Sequence, residues 1–204
     1  MFSSLQPSDK QETAHRPWGG GSVPINLFFA LLPTPETVAP IATLGETVCG
    51  AHGLRGRPIW PDRLHLTLLP VGSPKWDLAE IVRRARNAAR RVRAAPFEIA
   101  LDITESFYVR DRHPFVLGSG DGVQKLTALR KHLAFEMARE GFQDLSRSPF
   151  SAHMTLMWAD HGVDEYPIAP IRWTVRDFVL VMSLVGRSRH EYLARWPLGA
   201  QGDF

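Results

Sequence analysis

The chain has 204 residues, 44% of them hydrophobic and 22% charged, with a formal net charge of +3. That size and balance fit one ordinary domain or two small lobes, with enough apolar surface for a core. The single Cys49 excludes an internal disulfide and a thiolate metal cluster, and no apolar run reaches the roughly 18 residues of a membrane span. The mild positive charge admits an anionic ligand without requiring nucleic acid. No signal-like apolar stretch opens the chain, so a cytoplasmic location is expected.

Residues 1–22 are polar and end in Gly19-Gly20-Gly21-Ser22, which reads as a disordered N-terminal extension. The apolar run Ile25 to Leu32 predicts a central strand. Pro35 and Glu36 open a helix over about 35–51, closed by Gly50 or Gly53. A loop follows, then a strand over about 63–70, closed by Pro70 and Gly72. Residues 76–93 predict the most regular helix, with Ile81, Ala85, Ala88 and Val92 as its buried stripe and six arginines around the rest. Those arginines read as a solvated face in preference to an RNA-binding one. Strands are expected at Phe97–Ile103, Ser106–Arg110 and Phe115–Leu117. A helix from about Gly122 to Arg139 is capped by Gly141. A second histidine-bearing strand covers about 152–159. A loop at 160–170, a long strand at 172–185 and an irregular tail at 192–198 complete the chain.

One pattern occurs twice. His65-Leu66-Thr67 and His153-Met154-Thr155 each sit in an apolar run and are each followed by Leu. In a strand, residues i and i+2 share a face, so each copy aims an imidazole and a hydroxyl the same way while Leu66, Leu68, Met154 and Leu156 turn to a core. Two such strands side by side would gather two imidazoles and two hydroxyls around one cleft. Histidine titrates near neutrality, so one ring can act as base and the other as acid. The hydroxyls can donate to an anion. The competing reading is a pair of buried histidines satisfied by neighbouring hydroxyls. About one His-x-Thr or His-x-Ser is expected by chance among eight histidines; two His-x-Thr copies in matching apolar frames are much less so. His52, His113, His132, His161 and His190 lack a Thr two residues on and carry little weight. No Asp/Glu/His cluster suggests a metal or other cofactor, and none is expected.

With these boxes, the opening strand Ile25–Leu31, the segment Pro61-Asp62-Arg63-Leu64 and the closing Leu180, Ser183, Tyr192, Trp196 and Leu198, the chain resembles the two-histidine (2H) phosphoesterase superfamily, in its 2′-5′ RNA ligase-like branch. The resemblance covers residues 24–198. It implies an α+β fold of two pseudo-symmetric lobes of antiparallel sheet, with outer helices and an active-site groove between the sheets. Residues 23–204 then form a single bilobal domain. It implies a metal-independent phosphodiesterase that opens 2′,3′-cyclic phosphates of RNA ends or small nucleotides to 2′-phosphates, with reversible ligation open. Its catalytic residues would be His65, Thr67, His153 and Thr155, with His65 the acid and His153 the base. The family often has Arg-Pro before the second histidine; Ser151-Ala152 stands here, with Arg147 as the candidate replacement. Phe28, Arg147, Ser151 and Tyr192 are the candidate substrate-binding residues. Phe28 and Tyr192, with Phe150 and Trp158, could stack on a base, against a competing role in the core. The expected partner is an RNA end or a small cyclic nucleotide, with no membrane, and the expected state is a monomer. The alternatives are a non-catalytic RNA-binding protein that keeps the cleft and a metal-dependent hydrolase using the histidines as ligands.

Overall fold

In the computed structural model, residues 24–72, 76–108, 113–120 and 123–199 are described. The extension expected at 1–22 lies outside them. The apolar run forms strand β1 (Ile25–Leu31), antiparallel to neighbours on both sides. Pro35 starts helix α1 (Pro35–His52), where a missing N–H costs nothing. Gly53 ends it at φ 65°, a left-handed cap that a side chain would strain. Within the expected loop lie a short strand β2 (Gly56–Pro58) and a 3-10 turn (Pro61–Arg63). Strand β3 (Leu66–Val71) follows. Helix α2 (Leu78–Arg91) begins where the Asp77 carboxylate accepts from the Glu80 N–H at 2.9 Å. Strands β4 (Phe97–Ser106) and β5 (His113–Gly118), helix α3 (Gln124–Arg139) and strand β6 (His153–Ala159) come next.

Three expectations need correction. The strand predicted at Ser106–Arg110 does not form as such: β4 ends at Ser106, Phe107 and Tyr108 are not strand, and 109–110 lie outside the described residues. The long strand at 172–185 is two strands, β7 (Tyr166–Val175) and β8 (Asp177–Leu184), and β7 begins inside the predicted loop. The tail is strand β9 (Arg189–Pro197), which makes a hairpin with β8. Its turn carries Gly186 at φ 82° and Ser188 at φ 49°. Apolar periodicity missed β9 because it is largely half-exposed and rich in polar residues, and missed the start of β7 because Pro167 and Pro170 read as loop.

The strands run in the order β7-β4-β5-β6-β3-β1-β8-β9, with β2 added on β6 and every pairing antiparallel. Two four-stranded halves are visible in that order. They meet at a single residue pair, Leu66 opposite Met154. Beyond it β3 leaves β6, and β2 takes over the vacated edge opposite Met157 to Ala159. Six strand steps separate β7 from β8, about 29 Å across a flat sheet at ~4.8 Å per step. Arg176 alone connects them, and two Cα steps reach at most about 7.6 Å. The sheet must therefore fold back on itself, which brings its halves face to face as expected for the α+β class. They form one hydrogen-bonded path and not two separate sheets.

The helices cover the outside. α1 lies against β6 and β7, α3 against β3 and α2, and α2 also reaches β9. The arginines of α2 mostly tie these layers together. Arg91 pairs with Glu136 and Glu140 of the α3 end, Arg84 donates to the Glu140 carbonyl and covers the Trp76 ring, and Arg86 donates to the Leu193 carbonyl.

Candidate active site

The two histidine boxes converge at the joint between the halves. Leu66 and Met154 are fully buried there, whereas His65, Thr67, His153 and Thr155 are half-buried, as alternation requires. His65 lies one residue before β3, later than the start expected at residue 63; extending the register of the Leu66–Met154 pair by one residue each way would set His65 opposite Thr155 and Thr67 opposite His153. All four side chains then share the face turned away from Leu66 and Met154. In such a lattice, opposed Cβ atoms lie about 5 Å apart and diagonal ones about 7–8 Å. The two imidazoles are the diagonal pair, and the local twofold runs between Leu66 and Met154.

Each ring is held in the same way. The His65 Nδ1–H donates to the Arg63 carbonyl at 2.7 Å, and the His153 Nδ1–H donates to the Ser151 carbonyl at 2.9 Å. A carbonyl can only accept, so each neutral ring carries its proton on Nδ1 and presents Nε2 as the exchangeable site. Each ring also meets an aromatic. Phe28 of β1 stacks on His65 with centroids 4.9 Å apart, and Phe107 meets His153 edge-on at 4.8 Å. Among the described residues, neither Thr67 nor Thr155 has a protein partner for its hydroxyl. Both are free to donate to a ligand.

A third histidine joins the site. His190 of β9 meets the His65 ring edge-on at 5.2 Å and Phe28 at 5.8 Å. Burial pushes His65 down to about 4, helped by the nearby charges of His153 and Arg63 and opposed by the Arg63 carbonyl. Burial likewise pushes His190 down to about 4, with the charges of His65 and Arg63 adding to it. Both rings are therefore neutral near pH 7. Between about pH 6.5 and 4 the unfolded chain binds protons that the folded site excludes, so stability is lost as pH falls through that window. Thermal melts from pH 7.5 to 4.5 are expected to fall on the acid side, by about 1–2 kcal/mol per ring after solvent screening, and His190→Gln is expected to flatten the curve. An unchanged slope in that variant would show that His190 takes up its proton equally in both states.

The remaining candidates divide. Phe28 is at the site. Ser151 is there through its carbonyl. Tyr192 is half-exposed and donates its hydroxyl to the Asp62 carbonyl at 2.9 Å, which pins β9 to the turn preceding His65. Arg147 is exposed in the turn before Phe150 and acts on Asp144; among the described residues it makes no contact with either histidine. Of the other histidines, His52 stacks on Tyr166, His113 meets Tyr108 edge-on, and His161 pairs with Asp160. Sequence reasoning missed His190 because β9 was read as irregular. In a strand, His190 and Tyr192 share a face, and that alternation was the available signal. Among the described residues, no group of three or more His, Cys, Asp and Glu side chains could hold a metal ion. No described helix is long and apolar enough to cross a membrane.

Residues 33–187 match the family model of the 2′-5′ RNA ligase superfamily. The chain belongs to that superfamily. It is 33% identical over 148 residues to the RNA 2′,3′-cyclic phosphodiesterase of Escherichia coli, covering 70% of this chain and 80% of that protein. Among solved structures, it is similar to Escherichia coli LigT in apo form, at 29% identity and TM-score 0.66, over 87% of this chain and 99% of that one. It is also similar to LigT complexed with 3′-AMP, at 32% identity and TM-score 0.62, over 85% and 97%. These superfamily structures share the two-histidine phosphoesterase fold.

Proposed function

We propose that the chain is a phosphodiesterase opening 2′,3′-cyclic phosphates of RNA ends or small nucleotides to 2′-phosphates, with reversible 2′-5′ ligation when a 5′-hydroxyl takes the place of water. The observation that supports this reading is that both boxes meet at the Leu66–Met154 pair, with His65, Thr67, His153 and Thr155 half-buried around it. The names of the relatives, and the complex of one of them with 3′-AMP, agree with a nucleotide substrate.

In this reading His153 Nε2 takes a proton from water as its oxygen bonds to phosphorus. The bond to the ribose 3′ oxygen breaks, and His65 Nε2 supplies the proton that oxygen needs. Thr67 and Thr155 donate to the non-bridging oxygens as charge shifts onto them. His65 is neutral in the empty site, so its acid role requires the bound phosphate to raise its proton affinity. An anion beside an imidazole does this by favouring the charged form.

The test is a panel of 2′,3′-cyclic nucleotides and short cyclic-ended RNAs, assayed with chelator present. The expected result is turnover with a bell-shaped pH profile belonging to the coupled pair. Phosphorus NMR should identify a 2′-phosphate. A 3′-phosphate would mean that the substrate sits the other way round or that the acid and base assignments exchange, and rescue only by a divalent ion would replace the mechanism by a metal-dependent one.

A further inference from the structure

The two halves of the site match in their histidines and threonines but not in charge. Arg63 stands two residues before His65, and Ser151 stands two residues before His153. Both lend a carbonyl to the following ring, yet only Arg63 brings a guanidinium. Its Nε is buried with no hydrogen-bond partner, and no carboxylate among the described residues pairs with it. The residue itself is half-buried, and a buried N–H left without an acceptor is costly, so this donor is open to a ligand. Its charge acts on both His65 and His190. His190 meets His65 from β9, the outer strand of the half that holds β3, while His153 approaches from the other half. His190 therefore flanks His65 from the half that does not hold His153, and the Arg63 charge reaches both rings. The reacting phosphate belongs between the two boxes, where the hydroxyls are.

The geometry points to a second anion subsite, formed by Arg63 and His190, that takes the phosphate on the 5′ oxygen of the terminal nucleoside. This inference rests on the phosphodiesterase reading for the identity of the neighbouring group. The subsite breaks the twofold symmetry of the phosphate cradle and so gives the substrate one direction across it. The 5′ phosphate can come from an RNA chain, as a diester, or from a free nucleotide, as a monoester. Charge-assisted hydrogen bonding serves both.

The experiment compares adenosine 2′,3′-cyclic phosphate, the same nucleotide carrying a 5′-phosphate, and the dinucleotide ApA ending in a 2′,3′-cyclic phosphate. Either 5′-phosphorylated substrate is expected to exceed the first by about tenfold in kcat/KM, mainly through KM. The diester arm separates RNA from a free nucleotide as the source. Arg63→Gln should bring that ratio close to one and His190→Gln should lower it partly. Arg172→Gln removes a cation paired with Glu98 on distant strands and should leave the ratio as in the wild type. Melting curves confirm folding, and Arg63→Lys should restore part of the ratio. A wild-type ratio of one, or a ratio that survives Arg63→Gln, overturns the subsite. Calorimetry of adenosine 3′,5′-bisphosphate against 3′-AMP reads it without turnover. Tighter, Arg63-dependent binding of the bisphosphate by a protein that hydrolyses none of the three would sink the phosphodiesterase reading and keep the subsite.

Discussion

His65→Ala and His153→Ala are each expected to lower kcat for cyclic phosphate opening by about 10²–10⁴-fold, with the fold intact. Each substitution removes the Nε2 that its box presents to the phosphate, and water cannot take the same fixed position. Both rings are half-buried on the open face of the joint, so their loss leaves the Leu66–Met154 layer beneath them in place. Thr67→Ala and Thr155→Ala remove one donor to the phosphate each and should cost less than either histidine. The double histidine variant should be little worse than the more damaged single one, because acid and base act as a unit. Wild-type turnover in either histidine variant, with matching circular dichroism and melting behaviour, would overturn the mechanism.

Leu66→Ala is expected to destabilise the protein by about 2–5 kcal/mol, within the range for a large aliphatic side chain deleted from a core. Leu66 has no solvent exposure, and its partner Met154 has none either. This pair is the entire hydrogen-bonded register between β3 and β6. Activity should fall as well, since the cavity would open beneath all four site residues. Urea titration gives the stability change, and kcat measured well below the new transition separates the catalytic loss from unfolding. A change under about 0.5 kcal/mol, the size of an ordinary surface substitution, would mean that the joint is held by the helices outside it.

Much of this was readable from the residues. The His-x-Thr repeat gave the face, because period-two alternation depends only on strand geometry, and His65, Thr67, His153 and Thr155 fall as it requires. The three helices were legible from Pro35, Gly53, Gly141 and the stripe along α2. β9 was not, because a hairpin strand with one face in solvent has no continuous apolar run to betray it. The loss of β9 carried His190 with it. Arg63 stood in plain view beside His65, but its significance depends on a buried Nε without a partner among the described residues, which is a property of three dimensions. The division of β7 from β8 at Arg176 was hidden for a related reason: a one-residue connection carries neither a glycine nor a proline to mark it.

The pairing order has a consequence for how the chain reaches this state. Strands β4 and β5 are consecutive in sequence and pair directly, and β6 then adds to β5, although β7 closes that half by pairing back with β4. The other half cannot be completed that way. β1 lies between β3 and β8, and β8 is not available until residues 177–184 have been made. During synthesis the earliest strand must therefore wait for almost the last. Contacts of such long range close late, so pulsed hydrogen exchange should protect the amides of β4 and β5 before those of β1. The catalytic face spans both halves, which makes competence for chemistry one of the final events of folding.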